Sequence, residues 1–209
     1  SHSSFRGPGI DSGLRILEDV KEAFNIPVTT DIHNASQAKL VSEIIDIIQI
    51  PAFLCRQSDI INAAVKTGKI INVKKGQFMA PWDANNIVEK VADGNGEKLL
   101  LTERGSSFGY NSLVSDMTSI PIMQGFGVPV IFDATHSVQR PGGLGKTTGG
   151  AREFIPTLAK CAVAAGCNGI FMEVHDNPDN AKSDAASQWP LNKLDTVLNS
   201  LKDIKEVIN

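Results

Sequence analysis

Lys74, Lys75 and Arg104 each follow a short apolar run, and so do Asp31, His33, Gln49, Glu103, Asp133, His136, Glu173 and His175. Two or three cations at such positions suit a phosphate or a carboxylate. Arginine grips two oxygens in a planar fork, and lysine adds a point charge. The competing structural reading is internal pairing with Asp31, Glu103 and Asp133. His136, Glu173 and Asp184 offer an imidazole and two carboxylates, a donor set that suits iron, manganese or zinc with coordination positions left open. A histidine hydrogen-bonded to a carboxylate, with no metal, is the structural alternative there. The glycine-rich stretch Gln139–Gly150, QRPGGLGKTTGG, is too long for a tight turn and too small to pack. It reads as an active-site lid, since Walker spacing for a phosphate cradle is absent.

Some scaffold must bring these residues to one place. Six apolar, β-branched runs recur along the chain: Val28–Ile32, Ile45–Ile50, Ile70–Val73, Leu99–Thr102, Val130–Phe132 and Gly169–Met172. Helix-length amphipathic stretches separate them. One carries Leu14, Ile16, Leu17, Val20 and Phe24, another Ile155, Leu158, Ala159, Ala162 and Val163, at the helical period. Apolar strands alternating with helices predict an α/β fold with a parallel sheet buried on both faces. Every run ends in polar residues. A (β/α)8 TIM barrel gathers all strand C-termini on one rim and places its chemistry there, whereas an open doubly wound sheet would concentrate it at one switch point. No GxGxxG follows the first run, which favours the barrel. Eight strands need about 250 residues. The sequence therefore predicts a single barrel domain over 1–209 that holds strands 3–8 and lacks the first two, with a last helix over Leu191–Val207.

A chain of 209 residues, 42% hydrophobic and 21% charged, can bury a core without disulfides. The net charge of -3 argues against nucleic acid as a partner. No run of 18 apolar residues predicts a membrane span. Cys55, Cys161 and Cys167 sit in apolar contexts without CxxC spacing and read as buried thiols of a reducing compartment.

In this setting the chain resembles the 3-deoxy-D-manno-octulosonate 8-phosphate synthase family. The matching stretches are SFRGPG (Ser4–Gly9), TDIH (Thr30–His33), IIQIPAFLCRQ (Ile47–Gln57), INVKKGQF (Ile71–Phe78) and TERGSSFGYN (Thr102–Asn111). FDATHSVQRPGG (Phe132–Gly143), FMEVHDNP (Phe171–Pro178) and SDAASQWPL (Ser183–Leu191) continue the match through the rest of the chain. The resemblance implies a (β/α)8 barrel, usually a cytoplasmic homotetramer. It joins phosphoenolpyruvate to arabinose 5-phosphate and water, releasing phosphate, in the making of a lipopolysaccharide precursor.

Carried over by position, Lys74, His136 and Asp184 are the catalytic residues. Gln49, Lys74, Arg104 and His136 contact phosphoenolpyruvate, Asp31 lines the pocket, and Arg56 serves a neighbouring subunit's sugar-phosphate site. His136, Glu173 and Asp184 resemble three of the four divalent-metal ligands of the metal-dependent branch. The fourth, a cysteine in the first strand, and the family's KANR segment are expected before Ser1, so this chain by itself is expected to be inactive. Three alternatives stay open: the sister 3-deoxy-D-arabino-heptulosonate 7-phosphate synthase activity, a Schiff-base aldolase using Lys74 or Lys75, and a structural fragment.

Overall fold

The computed structural model describes residues 5, 7–142 and 149–208. These fall into two compact units, residues 7–76 with 83–101, and residues 77–82 with 102–208.

The first unit opens with α1 (Ile10–Phe24), which ends where Asn25 takes a left-handed conformation at φ 50°. Asparagine tolerates that region, so the helix stops there without a glycine. Next come β1 (Thr29–Asp31), α2 (Gln37–Val41), β2 (Ile47–Ile50), α3 (Ser58–Val65), β3 (Ile70–Lys74), α4 (Asn85–Asp93) and the start of β4 (Leu99–Glu103). β1, β2 and β3 pair in parallel, with Asp31 opposite Gln49 and Gln49 opposite Asn72. The Ile71 amide donates to the Lys98 carbonyl at 2.9 Å as the chain enters β4. Ile48, Ile50, Ile71 and Val73 of the strands are buried, as are Ile60, Ile61 and Ala64 of α3 and Ile87 and Val91 of α4. Continuous burial along β3 explains why its sequence, IINVK, is an apolar run rather than an alternation.

The second unit takes up the end of β4 and adds α5 (Ser119–Gln124), β5 (Val130–Asp133), α6 (Ile155–Ala164), β6 (Gly169–Phe171) and α7 (Leu194–Ile208). β5 and β6 are parallel, with Asp133 opposite Phe171. Gly169 opens β6 against Ile131, whose Cδ1 would lie 2.9 Å from an added Cβ. Ile120, Met123, Val130, Phe132, Ile155, Ala159 and Ala162 form the core of this unit. Parallel strands followed by helices in repetition make this part of a (β/α)8 barrel.

All six strands lie within a residue or two of the runs read from the sequence. Other expectations need correcting. In α1, Leu14, Leu17 and Val20 turn inward, but Ile16 and Phe24 are exposed. Ile16 is two residues from Leu14, about 200° around a helix, so it cannot share that face. Cys55 and Cys167 are buried, but Cys161 is exposed. It sits on α6 opposite the face formed by Ile155, Ala159 and Ala162. The last helix begins as a 3₁₀ turn over Leu191–Lys193 before α7 proper.

Candidate active site

In the second unit, Asp133 ends β5 and is fully buried. Its carboxylate accepts from the His136 backbone amide at 2.8 Å and contacts the His136 ring at Nδ1, 2.7 Å away. A carboxylate can only accept, so Nδ1 carries the proton and Nε2 is the nitrogen left for other chemistry. Nε2 points at Glu173 Oε1, 3.4 Å away.

Glu173 follows β6, and its backbone amide donates to Thr135 Oγ1 at 2.8 Å. The buried Gln188 donates to its other oxygen, Oε2, at 2.9 Å. Asp184 sits in the loop before Gln188 at φ 50°, an unusual conformation for a non-glycine residue. The Ser187 and Gln188 amides hold its carbonyl at 2.8 and 3.1 Å, and Gln139 donates to its Oδ1 at 2.6 Å. Each ligand-type atom of His136, Glu173 and Asp184 lies within 4.8 Å of the others.

Arg104, at the end of β4, is buried and donates through Nη2 to Gln139 Oε1 at 2.9 Å. Its Nη1 is also buried and has no hydrogen-bond partner among the described residues. Burial pushes the guanidinium pKa down, and the charges of Asp133, Glu103 and Asp184 push it back up. The cluster therefore holds a positive fork with an unused donor beside a set of metal-type ligands, an arrangement suited to an oxyanion.

The donor set fits a divalent metal. Each of the three side chains is turned by a buried partner: His136 by Asp133, Glu173 by Gln188 and Asp184 by Gln139. That is the outer support metal ligands characteristically have. One imidazole and two carboxylates leave positions for water or substrate.

The first unit contributes a second polar set. Asn72 donates to Gln49 Oε1 at 2.9 Å, and Gln49 donates to Asp31 Oδ1 at 2.5 Å, a relay across three strands in register. Lys74 and Lys75 are buried at the end of β3. Arg56 is exposed after a 3₁₀ turn, and its carbonyl accepts from Lys90 at 2.9 Å.

The DAHP synthetase I family model matches residues 1–209, the whole chain. The chain belongs to the DAHP synthetase I family. It is 55% identical to the 2-dehydro-3-deoxyphosphooctonate aldolase of Trichlorobacter lovleyi over 208 residues, 100% of this chain and 76% of the relative. The protein of that name from Protochlamydia amoebophila is 54% identical over 208 residues, with the same coverage. The one from Nitratidesulfovibrio vulgaris is 57% identical over 201 residues, 96% of this chain and 74% of the relative.

Within this family member, the sequence-predicted His136, Glu173 and Asp184 come together and are joined through Gln139 to Arg104. Asp31 and Gln49 come together in the other unit. The sequence reading passed over Asn72, Gln139 and Gln188 as individual site residues. Asn72 carried a signal, since a lone amide between Ile71 and Val73 in a buried strand must find a partner. Gln139 and Gln188 carried none apart from the motifs around them. Half of the lid predicted over Gln139–Gly150, residues 143–148, lies outside the described residues.

Proposed function

We propose that this protein condenses phosphoenolpyruvate with arabinose 5-phosphate and water, giving 3-deoxy-D-manno-octulosonate 8-phosphate and inorganic phosphate. The names of relatives at 54–57% identity support the reaction. The observation that carries the chemistry is the buried Arg104 fork, its Nη1 without a partner among the described residues, joined through Gln139 to Asp184, whose ligand atom lies within 4.8 Å of those of His136 and Glu173.

C3 of phosphoenolpyruvate forms the new bond to the aldehyde carbon, whose oxygen takes up a proton. Water adds at C2 and gives up a proton. The C2–O bond to phosphate then breaks, leaving a ketone and inorganic phosphate. Lys74 and Arg104 hold the phosphate and carboxylate, and Gln49 and His136 complete the contacts to phosphoenolpyruvate. Their work is positioning and electrostatic stabilisation. Asp31 lines the pocket, and Arg56 reaches a neighbouring subunit's sugar phosphate. His136, Glu173 and Asp184 hold a divalent zinc, iron or manganese ion. The ion supplies Lewis acidity and orders water when bound. His136 presents Nε2 because Asp133 fixes the proton on Nδ1.

The enzyme works as a cytoplasmic homotetramer in the supply of a lipopolysaccharide precursor. Exposed aromatic side chains at Phe53, Phe108 and Tyr110 support assembly. No helix among the described residues is long and apolar enough to cross a membrane.

The test is phosphate release by the full-length protein, which should require both phosphoenolpyruvate and arabinose 5-phosphate. The family model's name favours a second reading, in which erythrose 4-phosphate is the acceptor. Release with that sugar and not with arabinose 5-phosphate would replace the first reading by the second.

A further inference from the structure

Gln139 is hydrogen-bonded to both halves of the second unit's cluster. Its Oε1 accepts from Arg104 Nη2 at 2.9 Å and its Nε2 donates to Asp184 Oδ1 at 2.6 Å. The chemistry of the two partners fixes the amide's orientation. A guanidinium has only donors and a carboxylate only acceptors, so the carbonyl must face Arg104 and the NH2 must face Asp184. No charged side chain could replace it: a glutamate would repel Asp184, and a lysine would repel Arg104. The residue is itself buried, and its bond to Arg104 is buried with it. Its backbone is held as well, because Gln139 pairs with Gly150 in a two-residue antiparallel ribbon.

Gln188 offers a contrast within the same cluster. It is equally buried and supports Glu173 through Oε2, with a longer contact to the Ser183 carbonyl. It has no bond to Arg104. Of the two glutamines, only Gln139 connects a metal-type ligand to the anion-binding arginine.

We propose that Gln139 is a positioning residue that couples divalent-metal binding at His136, Glu173 and Asp184 to anion binding at Arg104. An ion drawn to Asp184 fixes that carboxylate, which fixes the amide, which in turn holds the guanidinium fork in one orientation. Anion binding at Arg104 acts back along the same bonds. By linkage, each ligand must raise the other's affinity by the same factor. The inference rests on the proposed binding of phosphoenolpyruvate at Arg104, and its test separates the two.

The full-length protein is stripped of metal by a chelator. Phosphoenolpyruvate is titrated by calorimetry with and without saturating Mn2+, and Mn2+ is titrated by electron paramagnetic resonance with and without phosphoenolpyruvate. In the unaltered protein both pairs of titrations should give one common factor, in the range of about 5- to 150-fold. Gln139→Met keeps the length of the side chain and removes both bonds. It should weaken Mn2+ binding by about 10- to 100-fold, weaken phosphoenolpyruvate binding by the metal-free protein, and cut the common factor by about threefold or more. Gln188→Met should weaken Mn2+ binding and leave metal-free phosphoenolpyruvate binding as it was.

A Gln139→Met protein that keeps the full factor, or that loses Mn2+ affinity alone, overturns the proposal. So does a factor of one in the unaltered protein, a measurement that needs no variant to fold. If the unaltered protein binds inorganic phosphate but not phosphoenolpyruvate, the substrate reading fails. The same comparison made with phosphate then decides the role of Gln139.

Discussion

A single carboxylate, Asp46, joins three pieces of the first unit. It accepts from Lys21 Nζ of α1 at 2.7 Å and from the Val28 amide, just before β1, at 2.9 Å. The bond from Lys21, then that from Val28, lowers its pKa below the ordinary carboxylate value, and burial only partly opposes them. A depressed pKa means the folded state favours the ionised form. The contribution is fully present above the unfolded value near pH 3.9 and is lost as pH falls through the lower folded value. Both partners are about a third exposed, so the pair contributes about 1 kcal/mol or less. Asp46→Asn should therefore lower stability by that amount in urea unfolding at pH 7, and the difference from the unaltered protein should be smaller at an acid pH below the ordinary carboxylate value. An equal difference at both pH values would show that the charge is irrelevant.

At the scale of elements, the informative one is the small ribbon of Gln139–Arg140 paired with Gly149–Gly150. One strand carries Gln139 to Asp184. The other brings Gly150 against the same loop from outside: a Cβ there would lie 2.8 Å from the Ala186 carbonyl oxygen, closer than packed atoms allow. Arg152 follows and donates to the Ala185 carbonyl and to Asp179. The left-handed Asp184 is thus pinned from its own backbone, from Gln139 and from the residues after the ribbon. Gly150→Ala should push the 184–188 loop away, costing about 1–3 kcal/mol of stability. It should also weaken Mn2+ binding. Unchanged Mn2+ affinity would mean that this close approach does not position Asp184.

The strands were legible because each is a short apolar run that ends in polar residues; β2 to β5 are buried along most of their length, whereas β1 is largely exposed and β6 half-buried. Glu173 and Asp184 could be picked out by motif, but their support could not. The bonds from Gln188 and Gln139 depend on loop conformations, including a left-handed aspartate, that no local preference specifies. Ile16 and Phe24 show the reverse case, in which apolar residues of an amphipathic stretch stay exposed.

At the scale of the whole molecule, composition and charge set the class, and the family match gives the reading its direction. The proposed homotetramer would bury some of the aromatic side chains that stand exposed here, Phe53, Phe108 and Tyr110 among them. Light scattering of the full-length protein should give four chains, and a stable monomer would contradict that assembly. The chemistry itself is the central claim. The most direct measurement is inorganic phosphate released by the metal-loaded, full-length protein, with each substrate supplied alone and then both together. Phosphate should be released only when phosphoenolpyruvate and arabinose 5-phosphate are both present, and release should be lost when Arg104 is replaced by methionine. Release from phosphoenolpyruvate alone, or with erythrose 4-phosphate in place of arabinose 5-phosphate, would contradict it.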